Sequence, residues 1–287
     1  MCSPMSIESR NTVAAEVLVE TASHLPASPQ VLAELNELLL DPHLRLDDVV
    51  ALLRRDAALA WAVVKVANSP LFPGARAVSV DDAVSRIGLT EVFRAVSLAT
   101  TARYAAITLP CYGVIAGRLG KNALLHALAA QALAPMAGIE ASAAYTAGLV
   151  RSLGLMVINQ LVRDRCDPTR PVLHSRDLLQ AEREWVGMNN GEVAATVLEH
   201  WRFAPEITQA IREHYLLQGW QNSTRLAVVL NVAGAITVAL GGALRAEQDV
   251  WIANPAKLAW LGVTEEQLLA AQESVQEQFQ GMRFAVE

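Results

Sequence analysis

The 287-residue chain is poor in cysteine, aromatic residues and charge: three cysteines, 5% aromatic residues and 18% charged residues. Cys2, Cys111 and Cys166 are odd in number and far apart, with no C-x-x-C pair. That spacing argues against a zinc ribbon, a dithiol redox motif or a disulfide scaffold, and it predicts free thiols in a reducing compartment. Lysine and arginine are scattered, with Arg54-Arg55 adjacent, and the formal net charge is -6. The basic stripe expected of a nucleic-acid-binding protein is therefore missing. The N-terminal segment has no basic region leading into an apolar core and a small-residue cleavage site, so a cytoplasmic location is the expectation. The 16 glycines are dispersed, without a P-loop, a dinucleotide fingerprint or a G-x-S-x-G elbow. Trp185 and Trp201 fall on apolar helix faces and read as core rather than as stacking platforms. The stretch Leu226 to Leu244 is nearly long enough to cross a bilayer, but it carries Asn231, Thr237 and three glycines and reads as a buried helix, without membrane insertion.

Hydrophobic residues make up 53% of the chain, enough to build a sizeable core. Alternation with period two is nearly absent while helical periodicity recurs throughout, so the predicted class is all-α. Residues 1–24 read as a lead-in with one helix near 12–23. Ser28-Pro29 then opens a helix with a hydroxyl cap, Asp47 and Asp48 load the start of the next, and Asp56 opens a third that stops at Asn68-Ser69-Pro70 through a left-handed asparagine. Ser79 begins a fourth that ends at Gly88, and another starts after Thr90. Longer alanine-rich helices are predicted near 112–136, 142–163, 176–187, 191–201, 205–217 and 224–243. A T-x-x-Q capping box at Thr264–Gln267 starts the last, to about residue 280. The predicted parts are 1–24, 25–110, 111–243 and a C-terminal helical extension at 244–287.

Several of these signals occur together in a fixed order: Leu25-Pro26 with Pro29, Asp56-Ala57-Ala58-Leu59, Ala67-Asn68-Ser69, and Ser79 followed by Ala83-Val84 and Ile87-Gly88. In that order they resemble the N-terminal half of an HDOD domain, the HD-related output domain of bacterial signalling proteins. Pro26, Pro29, Asn68, Ser69 and Gly88 are its structural signature here. The resemblance extends more weakly to about residue 240 and implies an HD/phosphodiesterase-like helical bundle behind an N-terminal helical subdomain. It further implies a metal centre of histidines and aspartates, and the chain departs from that pattern. His126 stands where the first histidine is expected, but the His-Asp stretch reads Gly148-Leu149-Val150-Arg151-Ser152-Leu153-Gly154. Asn190 replaces the next histidine, and of the later histidine pair His214-Tyr215 keeps only the first member.

Two imidazoles cannot hold a hydrolytic metal alone, and an inward-pointing Arg151 would repel one. At 4 Å a unit charge costs about 4 kcal/mol at an effective dielectric near 20, and a divalent ion doubles it. The expectation is a chain with no metal, no cofactor and no catalytic residue. His126, Arg151, Ser152, Asn190, His214 and Tyr215 then mark a vestigial site. Two readings of it are open: an anion pocket for a nucleotide or phosphate, or a set of donors tied up within the fold, with Arg151 on an acid and the imidazoles on backbone carbonyls. His24, His43, His174 and His200 are isolated and read as solvated or core residues. The resemblance implies a regulatory module that binds signalling proteins in trans, with a phosphohydrolase of rearranged site and a nucleotide sensor as the alternatives.

Overall fold

In a computed structural model, which describes residues 12–25, 30–41, 43–70, 72–74, 76–167, 171 and 175–286, the chain is a helical bundle. Among these residues there is no strand beyond one isolated bridge, Leu109 to Val114. Pro26, Pro29 and the Ser28-Pro29 cap lie outside the described residues.

The N-terminal half consists of α2 (Gln30–Leu40), α3 (Leu46–Arg54), α4 (Ala57–Ala67) and α5 (Val80–Ala105). The Asp56 carboxylate caps α4 by accepting from the Ala58 and Leu59 amides at 2.9 and 3.2 Å. It also accepts from Arg103 near the end of α5, which ties the two helices together. Asn68 does not exit in the left-handed region, since its φ is -96°. Its side chain instead pairs with both backbone groups of Ala77 at 2.9 Å, pinning the loop between α4 and α5 as a strand partner would. The Ser79 hydroxyl accepts from the Asp82 amide at 3.0 Å, while Asp82 returns to Val78 one residue outside the expected box. Gly88, with φ +75° and ψ 167°, kinks α5 where two helices were predicted, a backbone state open to glycine at little steric cost.

A 3-10 turn at Pro110–Tyr112 leads into α6 (Arg118–Leu133), α7 (Ala141–Val150), α8 (Leu153–Val162), α9 (Ser175–Val186), α10 (Asn190–His200), α11 (Pro205–Glu213) and α12 (Arg225–Ala239). Short 3-10 segments lie at Trp220–Asn222 and Arg245–Val250, the latter before α13 (Pro255–Leu261) and α14 (Glu265–Val286), and α14 packs on α6. The T-x-x-Q box opens α14 through reciprocal Thr264 and Gln267 bonds. The helix expected near 12–23 is α1 (Ala15–Ser23), which buries Leu18 and Ala22 against α8 and α10, and the Val13 amide donates to the Val186 carbonyl at 3.0 Å.

Two expectations need correction. The single helix predicted over 142–163 breaks at Arg151-Ser152, so Arg151 leaves the end of α7 and not a helix middle. Cys111 and Cys166 are not free and distant thiols: a disulfide joins them with Cα atoms 5.6 Å apart, and their 55-residue separation concealed the contact. The stretch expected to be a buried helix is one: Arg225–Ala239 is apolar and largely buried, and among the described residues the stretch long and apolar enough to cross a membrane is Ala141–Val162, with 83% of its apolar window buried.

Small residues set the close helix approaches. A Cβ on Gly148 would lie 2.8 Å from the Ala127 Cα, and one on Gly154 would lie 1.8 Å from the Asn190 carbonyl oxygen. Gly154→Ala therefore forces α8 from α10 and should cost about 3 kcal/mol or more. Gly281→Ala on α14 meets nothing within 4 Å and should be neutral or stabilise by up to about 1 kcal/mol. Urea unfolding of both variants checks the contrast; equal midpoints would refute it.

Candidate functional site

The break between α7 and α8 turns Arg151 into the bundle, where it is fully buried. Its guanidinium makes a two-pronged pair with Glu247, Nη1 donating to Oε1 at 2.9 Å and Nη2 to Oε2 at 3.0 Å. Nη2 also donates to Asn122 Oδ1 at 2.6 Å, and Nε donates to His126 Nδ1 at 3.1 Å. The Trp251 ring lies 4.8 Å from the guanidinium carbon, so the cation is held on its face as well as its edge. Trp251 fits against α12 because residue 234 is glycine; a Cβ there would come within 2.4 Å of the ring.

The Arg151 bond fixes the His126 tautomer. Nδ1 accepts, so Nε2 carries the proton and donates to the Leu230 carbonyl at 2.8 Å. Burial, and then the neighbouring Arg151 charge, push this ring well below its ordinary value, so it is neutral. His214 is also neutral: burial and Arg151 lower it to about 4. Its Nδ1 donates to the Ile211 carbonyl, and its ring stacks on Trp251 at 5.6 Å. His214 Nε2, Ser152 Oγ and Trp251 Nε1 are buried without a hydrogen-bond partner.

Glu247 anchors a second chain of bonds. Tyr215 donates to its Oε1 at 2.5 Å and accepts from Asn190 Nδ2 at 2.9 Å. Asn190 reaches the buried Glu182 carboxyl through its backbone amide at 2.8 Å and through Nδ2 at 3.0 Å. Tyr112 completes the row, 3.0 Å from Glu182 Oε1. The two carboxyl groups differ in state. Burial would raise both, but the Arg151 charge and bonds hold Glu247 below the ordinary carboxylate value. Glu182 has no such cation, and burial raises it to about 8, so it is chiefly protonated near neutrality. A protonated Glu182 can donate to the Tyr112 hydroxyl. The cluster around Arg151 then holds one cation and one anion, already paired.

Of the residues singled out in sequence, His126, Arg151, Asn190, His214 and Tyr215 share this cluster, and Ser152 abuts it without a bond. Asn68, Ser69 and Gly88 belong to the N-terminal half, where Ser69 Oγ is buried and unpartnered. His24, His43 and His200 are exposed, and His174 lies outside the described residues. Trp185 is half-buried, edge-on to Tyr112 at 6.0 Å, and Trp201 is half-buried against the core. Sequence reasoning missed Glu247, Trp251, Asn122, Glu182 and Tyr112. Asn122 had one available signal, since it lies four residues before His126 and so on the same helix face.

These features define an HD-like helical bundle whose central position is filled by an internal ion pair. The chain belongs to the HDOD family: the HDOD domain pattern matches residues 25–217. Among solved structures it is similar to a "putative signal transduction protein" from Marinobacter aquaeolei VT8, with 24% identity, a TM-score of 0.65, and coverage of 94% of this chain and 60% of that one. It is also similar to a "putative phosphohydrolase" from Shewanella amazonensis SB2B, with 21% identity, a TM-score of 0.58, and coverage of 94% and 97%. A third is an HDOD domain protein of unknown function from Geobacter sulfurreducens, with 21% identity, a TM-score of 0.56, and coverage of 95% and 96%. An uncharacterized protein of Treponema pallidum (strain Nichols) is 23% identical over 229 residues, 74% of this chain. The chain spans 42% of that curated relative's length.

The HD-type fold implies a metal among these positions, and the residues present do not fit one. Both His126 nitrogens are engaged, the Glu247 carboxylate is committed to a guanidinium, and His214 Nε2 is the one imidazole lone pair left in the cluster. Among the described residues no group of three or more His, Cys, Asp or Glu side chains is placed to hold an ion.

Two predictions follow from this electrostatics. Removing one member of a buried pair strands the other, so Arg151→Met should cost about 3–5 kcal/mol, while adding Glu247→Met should recover a large part of it. Denaturant titration of both variants measures this, and additive losses would contradict the pairing. Between the ordinary carboxylate range and about pH 8 the folded chain retains a proton on Glu182 that the unfolded chain has released, so stability falls as pH rises through that window. His214 acts in the opposite sense, with stability lost as pH falls from its ordinary 6.5 towards about 4. Tm should peak between these limbs, and Glu182→Gln should flatten the alkaline one. An unchanged alkaline slope in that variant would contradict the assignment.

Proposed function

We propose that this chain is a non-catalytic signal-transduction module that acts by binding other proteins. The observation that carries the reading is the buried Arg151–Glu247 pair, a fixed cation with its counterion at the heart of an HD-like cluster. A hydrolytic centre needs donors with free lone pairs around an open position for water. Here the donors bind one another, and the polar groups serve packing and register. Loss of chemistry with retention of the fold leaves the helical surfaces to carry the signal. Partners are signalling proteins acting in trans, and the module belongs to the cytoplasm on this reading. The names of the structural relatives include both a hydrolase and a signalling protein, and the ion pair favours the second.

One observation favours a second reading, a ligand sensor. A cleft of about 410 Å³ lies between α2, α5, α6 and α7, lined by apolar Leu39, Leu89 and Phe93 and by polar Arg94, Gln131 and Glu140. A saturable rise in Tm across a nucleotide panel would support it.

The expected result for the leading reading is purified protein without stoichiometric manganese, iron or zinc, and no hydrolysis of phosphomonoester or phosphodiester substrates in added manganese. Affinity capture from the native host should recover the same signalling protein with wild-type chain but not with the unfolded chain. Manganese-stimulated hydrolysis abolished by His126→Ala would overturn the reading in favour of an enzyme.

A further inference from the structure

The Cys111–Cys166 bond joins two places that matter to the bundle. Cys111 is buried in the 3-10 turn that connects the two helical halves, and its amide donates to Asn159 Oδ1 on α8 at 3.2 Å. Its neighbour Tyr112 ends the polar row through Glu182. Cys166 lies in the turn just beyond α8, part-exposed, with Arg163, Asp164, Arg165 and Asp167 exposed around it. One cysteine is thus part-exposed and the other is buried. The bond closes a loop containing α6, α7 and α8, which carry Asn122, His126 and Arg151.

One continuous apolar cluster runs from Leu18 to Val275, a core of a size that disulfide-stapled chains lack. Disulfides that serve as staples belong mainly to small chains unable to build such a core. We propose that Cys111 and Cys166 are a reversible modification site for low-molecular-weight disulfides of the glutathione type, and that oxidation locks the inter-half turn onto α8. The Cys166 thiolate attacks one sulfur of the small disulfide, forming a mixed disulfide and expelling one small thiolate. Cys111 gives up its proton and attacks the Cys166 sulfur, forming the internal bond and expelling the second small thiolate. Two protein thiols are oxidised, and one small disulfide is reduced to two thiols.

The test uses the full chain, reduced with dithiothreitol, desalted, and equilibrated in buffers of varied glutathione to glutathione disulfide ratio. Samples are quenched by alkylation and mapped by mass spectrometry, with circular dichroism recorded in parallel. The expected result is a reversible passage of the 111–166 pair between doubly alkylated and disulfide forms without loss of helicity. Amide exchange at residues 109–114 should be faster in the reduced form. Cys111→Ser should trap glutathione on Cys166; if that buried substitution prevents folding, faster alkylation of Cys166 than of Cys111 in reduced wild type is the substitute readout. Three results would overturn the proposal: two alkylated thiols at every ratio, a bond that reduces only when the chain unfolds, or identical exchange at 109–114 in the two states.

Discussion

The Arg151–Glu247 pair is the constraint to which the C-terminal half is fitted. Both side chains are wholly removed from water, and a lone charge in that position would cost several kcal/mol. The geometry answers that cost with four N–H bonds from the guanidinium and an aromatic face beneath it. The cation needs the α7–α8 break to point it inward, the 3-10 segment after α12 to deliver its carboxylate, and Gly234 to admit Trp251. The 3-10 segment after α12 and Trp251 just beyond it thus belong to the centre, since they supply Glu247 and the ring under the guanidinium.

Charge balance extends outward from that pair. With Arg151 matched by Glu247, any further charge in the cluster would stand unpaired, and the neighbouring groups are neutral accordingly: His126 and His214 are driven down, and Glu182 is driven up. Tyr215 and Asn190 carry the bonding from the ionised carboxylate to the protonated one. A metal centre organises its ligands around an external cation. Here the cation is covalently part of the chain, so the order it imposes comes with folding.

Much of the fold was legible because helix signals are local. Asp56, Ser79 and Thr264 each cap the helix that their spacing predicts, and Gly88 breaks the one it ends. The central residues Arg151, Asn190 and Tyr215 were legible as departures from an order of ligands that His126 and His214 keep. Their partners were not. Glu247 shares a short 3-10 segment with Asp249, and nothing local distinguishes it from exposed Glu265 or Glu266. Burial of Glu182 and proximity of Cys111 to Cys166 depend on how distant helices meet. Asn68 shows the same limit on a smaller scale: its importance to the loop was readable, but its action through the side chain on Ala77 was not.

The most direct measurement is ¹⁵N NMR of histidine-labelled protein near neutral pH, with and without excess manganese. The ion-pair account predicts a neutral His126 protonated on Nε2, its Nδ1 bare and accepting from Arg151, with His126 and His214 signals unmoved by the ion. A protonated imidazolium at His126, or selective paramagnetic broadening of both histidines, would contradict it.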